Sequence, residues 1–596
     1  MIRRIAASLL VLAALLAPAI DAQTAQSASP SSPPTPTAPA ALATPAVPVA
    51  ATPPAPRVAR VARGTGGAVA AAEENAARAG IEILRKGGNA ADAAVAVSFA
   101  LAVTWPEAGN IGGGGFWNSR DALGRSLVVD YREAAPRLAA RDLFTRPNRK
   151  GVVPSSTEGA LASGVPGTVA GLALAHRRTG RLPWKTVLEP AVRLARDGFV
   201  MSEAVSESIA GERERLAKDQ EAARIFLPGG APPAPGKIFK QPDLARTLAA
   251  IRERGEDGFY RGETARRFED SQRRAGGLIS RGDLARYEAK IRKPLRFQFA
   301  GYEIVTTPAP SSGPVLAEMA LAVARVADRV REASPAAVHW VAEIEKRAFR
   351  DRNRWLGDPA FPGVRERLFT DPARIDRLVA SIDPRRSTST AALAQVFPER
   401  PTTTHFSVMD AEGMAVSITT TLNDSFGSAR VAQGLGFLLN NEMDDFATRP
   451  GEKNMYGLVQ GDVNAVAPGK RMLSSMCPSI AVSGGKNVLV WGTPGGSTIP
   501  TTNLQVLVRR LLRNEPLGDA LSGARFHQQD LPDEILVETG RFDAEWLDAL
   551  RAMGHEIKDR KRLGCVHAIA VEKDGAVVAA ADPRGSGAAL IEREAR

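Results

Sequence analysis

The chain has 596 residues, 44% hydrophobic and 24% charged, an ordinary globular balance that excludes a wholly disordered or fibrous protein. Its net charge of +12, from 77 Lys and Arg against 65 Asp and Glu, is spread thinly, with locally basic stretches around 141–150 and 558–562. No aromatic residues or known module interleave with that charge, so a nucleic-acid partner is not expected and the charge reads as solvated surface.

In chain order, Met1-Ile2-Arg3-Arg4, an apolar run from Ile5 to Leu16 and small residues around Ala17–Ala22 read as a secretory signal, residues 1–22, cleaved between about 19 and 25. The run is short for a bilayer span and Asp21 follows closely, so a cleaved leader is preferred over an uncleaved anchor. A secreted, periplasmic protein with no stable membrane span is therefore expected. Residues 23–60 are almost entirely Ala, Pro, Ser and Thr and form a tether that cannot bury a core.

From Val69 to Val103 the Ala-rich pattern reads as helical, with a stop at Lys86-Gly87-Gly88 and a new start at Asn89, with Asp92 in its first turn. A glycine run, Gly112–Gly115, precedes Phe116 and a strand through Leu127–Asp130. Residues 160–350 read as mostly helical, with apolar three-to-four spacing in Val187–Leu194 and Val315–Val323. Beyond about Arg400 the strand signals Thr404–Met409, Met414–Thr420, Ile480–Val482 and Val488–Val490 appear, then helices over Thr501–Leu512 and Ala544–Met553. Final strands are expected at His567–Val571 and Ala576–Ala581. A helix-rich part followed by a strand-rich part predicts an α+β layered fold with helices over sheets.

Several chemistries are disfavoured. The two cysteines, Cys477 and Cys565, form no C-x-x-C pair, and no histidine stands in H-x-x-x-H or H-E-x-x-H spacing, so neither metal nor cofactor is expected. Whether the cysteines pair is open at this point. A G-x-S-x-G elbow and a phosphate loop ending in G-K-[ST] are missing. Alone, Gly112–Gly115 and Gly495-Gly496 read as tight turns.

The stretch Thr402-Thr403-Thr404-His405-Phe406-Ser407-Val408-Met409-Asp410 closely resembles the processing site of γ-glutamyltransferases, which belong to the N-terminal-nucleophile hydrolases. The resemblance runs through Thr421-Leu422-Asn423, Asn440–Phe446, Leu473–Met476, Pro494–Ser497, Arg525-Phe526-His527 and Asp582-Pro583-Arg584. Upstream it includes Gly88–Ala94, Ala108–Gly115, Arg132-Glu133 and Pro310–Gly313, covering the chain from about Gly67 onward. It implies a four-layer αββα sandwich. It also implies self-cleavage between Thr402 and Thr403 into a large subunit, residues 61–402, and a small catalytic one, residues 403–596.

A threonine hydroxyl needs a base, and a terminal threonine carries one in its α-amine, which titrates near 7.7–8.0 in model compounds. The resemblance selects Thr403 as nucleophile, with Thr402 and Thr404 as alternatives if the register slips, and Thr421 as the residue that holds its rotamer. It implies Arg132, Ser474 and Ser475 for the substrate α-carboxylate, and Asp445, Glu442 and Asn423 for the α-ammonium. Glu442 could instead be protonated or paired elsewhere. Gly495 and Gly496 would form the oxyanion hole, and Tyr456, in a loop over Pro450–Gly457, would gate the pocket. Retention of Asp445 favours a γ-glutamyl substrate over the glutaryl groups taken by related cephalosporin acylases. The partners so implied are glutathione and related γ-glutamyl compounds, with water, amino acids or peptides as acceptors.

Overall fold

The computed structural model describes residues 58–390, 403–449 and 451–594. The expected leader, most of the tether, Thr402 and Pro450 lie outside the described residues. Helix punctuation falls where the sequence predicts it. A helix spans Glu74–Arg85, Lys86 caps it, and Gly87 follows with φ of +84°. Asn89 then caps Ala90–Thr104 through a reciprocal pair with Asp92, each backbone N–H meeting the other's side-chain oxygen at 3.0 Å. That helix is buried at every position, in keeping with its lack of an amphipathic stripe.

The helical reading of the stretch beginning at Val69 is corrected at its start: Arg60–Ala71 is a strand. Its second half is flanked on both edges, Val69 pairing with Val408 on one side and Leu590 on the other. Two-sided pairing overrides alanine's preference for helix. The helical reading of 160–350 likewise misses five strands, the short pair Phe199–Val200 and Ile238–Phe239 and then Lys290–Arg292, Leu295–Phe299 and Tyr302–Thr306, and a last strand at Ala588–Glu594 is also not predicted. Thr404–Met409 and His567–Val571 have the predicted bounds.

Most strands join one antiparallel sheet. From one edge it runs Lys290–Arg292, Ser126–Asp130, Gly114–Arg120, Ala415–Thr421, Thr404–Met409 and then Arg60–Ala71. It continues through Val577–Ala581, His567–Val571, Lys486–Gly492, Ser479–Ser483, Tyr302–Thr306 and Leu295–Phe299. Arg60–Ala71 is the fold line. Arg60–Gly64 pair with Val577–Ala581, whereas Ala68–Ala70 pair with Thr404–Met409. Beyond it, Ala415–Thr421 and Thr404–Met409 face Lys486–Gly492 across the interior.

An inner core of Ala68, Ala70, Met409, Ile480, Val490 and Ile569 lies between the two layers. Two larger cores cover the outer faces, one built on Glu74–Arg85 and Ala90–Thr104, the other on Gly313–Arg325, Pro335–Trp355 and Thr498–Leu507. Helix, sheet, sheet and helix therefore stack in the expected αββα order. Strand alternation sorts the residues: Phe406 and Val408 join an outer core, while His405 and Ser407 lie inside. His405 bonds Thr419 Oγ at 2.8 Å, Ser407 Oγ donates to His567 O at 3.0 Å, and Ser417 Oγ donates to Trp491 O at 3.0 Å. The two serine bonds clasp the layers, and all three satisfy buried hydroxyls.

Among the described residues no helix is long and apolar enough to cross a membrane. Cys477 and Cys565 are both free thiols, which answers the open question of their pairing. Trp491 is fully buried on the sheet face beneath the second helical core, and its indole N–H has no hydrogen-bond partner among the described residues. Trp491→Ala should therefore cost about 3–5 kcal/mol through the cavity it leaves. Trp491→Phe, which removes an unsatisfied donor and keeps most of the packing, should cost much less; denaturant midpoints of the purified variants check both.

Candidate active site

Thr403 directly precedes the central strand Thr404–Met409, and Thr421 ends its neighbour Ala415–Thr421, where Thr404 pairs with Thr420. This register brings Thr403 Oγ to 3.4 Å from Thr421 Oγ. Thr421 Oγ also accepts from Asn423 N at 2.8 Å, which fixes its position. The strand end itself is held by Asn110, whose Nδ2 donates to Thr421 O at 2.8 Å. Gly113 is required there, since a Cβ would stand 2.1 Å from Thr421 O. The glycine run is thus a close-packing device behind the Thr403–Thr421 pair.

Gly495 and Gly496 form the turn between Lys486–Gly492 and the helix Thr498–Leu507. The turn's own bonds run from Thr498 N to Gly495 O and from Ile499 N to Gly496 O, so neither glycine N–H is used in them. Gly495 shares with Thr403, Thr404, Trp105 and Glu107 the wall of a cavity of about 750 Å³. Gly496 lies beneath Tyr456: a Cβ on Gly496, whose φ is +55°, would stand 2.7 Å from the tyrosine ring. Tyr456 is buried, and its hydroxyl donates to Asn423 O at 2.6 Å. Tyr456 is therefore held against both the Gly495-Gly496 turn and Asn423.

Arg132 follows the strand Ser126–Asp130 and is fully buried. Its guanidinium forms ion pairs with Glu442 and Asp445, both in the short turn Glu442–Asp445, and lies 3.5 Å from Glu133. It also donates to Met472 O at 3.3 Å and Leu473 O at 3.4 Å, the two residues before Ser474-Ser475. The residues expected for the carboxylate and ammonium of one substrate carbon are thus in one cluster, with cation and anions paired to each other. Asn423, with φ of +79°, donates to Asn441 O at 3.0 Å beside that turn.

Burial pushes Glu442 well above the usual carboxylate range, Arg132 pulls it down, and Glu133 and Asp445 add to the rise. Glu133 is pushed up to about 7 by burial against the pull of Arg132. Asp445 is raised by burial too, with Arg132 and Arg352 opposing. One Glu442 oxygen pairs with Arg132, and the other has no hydrogen-bond partner among the described residues. Burial thus favours the proton on Glu442, while Arg132, hydrogen-bonded to it, opposes that rise.

Sequence reasoning assigned no role to three residues now at the site. Arg352 donates to Ser475 Oγ at 3.2 Å and to Ser312 Oγ at 3.1 Å. Ser312, within the matched Pro310–Gly313 motif, donates to Ser474 O at 2.6 Å. Asp444 accepts from Ser156 Oγ at 2.6 Å and from Met455 N at 2.9 Å, and so anchors the lid loop. The matched motifs were a signal for Ser312 and for Asp444, which lies in Asn440–Phe446; nothing in the local spacing distinguishes Arg352.

The gamma-glutamyltranspeptidase family model matches residues 76–591. The chain is 41% identical over 524 residues to the glutathione hydrolase proenzyme of Escherichia coli, covering 87% of this chain and 90% of the relative. To the glutathione hydrolase proenzyme of Pseudomonas aeruginosa it is 42% identical over 546 residues, covering 88% and 94%. Among solved structures, gamma-glutamyltranspeptidase from Pseudomonas nitroreducens complexed with L-DON aligns with a TM-score of 0.51 at 41% identity, over 54% of this chain and 96% of that one.

Burial raises Asp444 to about 6, with Asp445 and Asp424 adding to the rise and its donors Ser156 and Met455 opposing it. As pH falls through that value the carboxylate gains a proton, and the Met455 N–H bond drops from charge-assisted to neutral. The burial cost that this proton relieves outweighs the weakened bond, because the carboxyl's value is raised only while the loop is closed. Amide exchange in residues 451–457, corrected for intrinsic rates, should therefore slow roughly tenfold between pH 7.5 and 5. Asp444→Asn should flatten that profile.

Proposed function

The chain belongs to the gamma-glutamyltranspeptidase family, and from that premise we propose that Thr403 is its nucleophile, created by cleavage of the Thr402–Thr403 bond. The protein is a self-processing γ-glutamyltransferase of the glutathione hydrolase type. The observation that carries the assignment of Thr403 is its place at the head of the central strand, 3.4 Å from Thr421 Oγ and on the same cavity wall as Gly495.

In the processing step, Thr403 Oγ attacks the carbonyl carbon of Thr402. The C–N bond breaks as the ester forms, and water hydrolyses the ester, leaving a carboxylate on Thr402 and an amine on Thr403. In turnover that amine takes the proton from Thr403 Oγ as the oxygen attacks the γ-carbonyl of the donor. The oxyanion is met by the N–H groups of Gly495 and Gly496. Collapse returns the proton to the leaving amine and leaves a γ-glutamyl-Thr403 ester. Water or an acceptor amine then attacks that ester and releases the glutamyl group.

The head group is held by an exchange of ion pairs. The substrate α-carboxylate takes donors from Arg132, Ser474 and Ser475, and the α-ammonium takes Asp445, Glu442 and Asn423. Tyr456 closes over the ester and excludes water until an acceptor arrives. Glutathione is the proposed donor. Export through residues 1–22 would deliver the enzyme to the periplasm, with residues 23–60 as its tether.

Denaturing electrophoresis of the purified protein should show two fragments, with N-terminal sequencing starting the smaller at Thr403 and the larger after a removed leader. Thr403→Ala should give one uncut, inactive chain; a small fragment starting elsewhere would overturn the assignment. Release of 4-nitroaniline should be much faster from a γ-glutamyl anilide than from its glutaryl analogue. Asp445→Asn should lower kcat/KM for the γ-glutamyl anilide roughly ten- to a hundredfold, as for loss of a hydrogen bond to a charged group worth about 1.5–3 kcal/mol, and narrow that preference.

A further inference from the structure

Two arginine side chains are buried at the head-group pocket, and only Arg132 has carboxylates on it. Arg352, on the helix Pro335–Trp355, is 1% exposed. Its hydrogen bonds go to neutral oxygens: Ser312 Oγ at 3.1 Å, Ser475 Oγ at 3.2 Å and Asn353 Oδ1 at 3.2 Å. Burial lowers its pKa to about 10, with Asp445 opposing and Arg132 adding to the fall. A buried charge without an opposite charge in contact is costly, and an amide could satisfy two of these oxygens without that cost. The charge calls for a purpose outside the ligand-free protein.

The polarity of the hydrogen bonds indicates one. A guanidinium donates and never accepts, so Ser475 Oγ is bound to Arg352 as an acceptor and its own proton must point elsewhere. Among the described residues no group accepts that proton. Ser312 Oγ accepts from Arg352 Nε and passes its proton to Ser474 O at 2.6 Å, while Ser474 N donates to Pro310 O at 2.8 Å. Both serines are thereby fixed from behind by one guanidinium. The carbonyls just before them, of Met472 and Leu473, are fixed by the other.

We infer that Arg352 is a positioning residue for the substrate α-carboxylate, aiming the Ser475 hydroxyl proton into the head-group pocket and supplying the positive charge that the arriving carboxylate balances. This rests on the γ-glutamyl reading of the pocket and extends it. Three carboxyls, Glu133, Glu442 and Asp445, already surround Arg132. Without a second cation, an anion entering there would meet net negative surroundings whenever two of them are ionised.

The test uses the self-processed enzyme carrying Arg352→Gln or Arg352→Lys, each first shown to cleave and to yield a small fragment starting at Thr403. Two anilides are compared: γ-glutamyl-4-nitroanilide, and 4-aminobutanoyl-4-nitroanilide, which differs only in lacking the α-carboxylate. Where the second turns over too slowly, its competitive inhibition constant is read instead. Arg352→Gln should lower kcat/KM for the γ-glutamyl anilide about ten- to a hundredfold, mainly through KM, and change the aminobutanoyl value less than twofold.

Arg352→Lys, which keeps a charge but not the fork, should fall between the two, and serves alone if the glutamine variant does not fold. In a Ser475→Ala background the glutamine substitution should lose most of its effect. Equal losses on both anilides, or full additivity with Ser475→Ala, would make Arg352 merely structural and overturn the inference. A wild-type enzyme that does not prefer the α-carboxylate-bearing anilide would instead overturn the γ-glutamyl reading itself, and the inference with it.

Discussion

A permanently charged guanidinium with no solvent exposure organises this molecule. Arg132 cannot shed its proton at working pH, so the protein must surround it with acceptors or carry the cost of an isolated buried charge. It does so with two segments far apart in sequence: the turn Glu442–Asp445 supplies carboxylates, and Met472 and Leu473 supply carbonyls. Two residues upstream, Asp130 receives Arg471 at 2.6 Å, fastening the second of these segments again, and Arg292 of the edge strand at 2.8 Å. Lid and serine pair follow from this arrangement. Asp445 also accepts from Asn454 of the lid loop at 3.4 Å, and the serines continue the segment that Arg132 grips.

The sheet gives Thr403 a comparable setting. Thr404–Met409 lies between Arg60–Ala71 and Ala415–Thr421, with strand pairing that begins at Thr404 opposite Thr420. A cut before Thr403 therefore removes no strand pairing. The strands on the two sides of such a cut interleave: Arg60–Ala71, from the upstream part, separates Thr404–Met409 from Val577–Ala581, both downstream. Two chains so joined share one hydrogen-bonded sheet and one inner core. A new terminus can then be made at the site without disassembly of what positions it.

What the sequence made legible follows local rules, and what it hid depends on partners. Asn89 and Asp92 were readable because a cap is complete within four residues, and Thr404–Met409 because its two faces are both specified by its own alternation. Arg60–Ala71 was not, since an alanine-rich stretch becomes a strand only through neighbours from two distant segments. The clustering of Arg132, Glu442, Asp445, Ser474 and Ser475 came from family likeness, with nothing in their separations to announce it. Arg352 marks the limit: Arg347, Arg350 and Arg354 share its helix and are more exposed, and only packing against Ser312 and Ser475 singles it out.

The ion pairs also bear on how selectivity can arise in such a pocket. The two charged groups of an α-amino acid sit on one carbon, so any site that reads both must hold cation and anions side by side. Left empty, such a site neutralises itself, as Arg132 does with Glu442 and Asp445. A zwitterionic head group then exchanges one internal set of pairs for two external ones and leaves the net charge unchanged. A ligand with the carboxylate but no ammonium takes Arg132 and leaves Asp445 buried without a cation in contact. On the proposed reading, the penalty for that orphaned carboxylate, more than any added attraction, is the term that would disfavour it. The proton that Glu442 favours has a place in the same logic, since a second full negative charge there would oppose the carboxylate that Arg132 is built to receive.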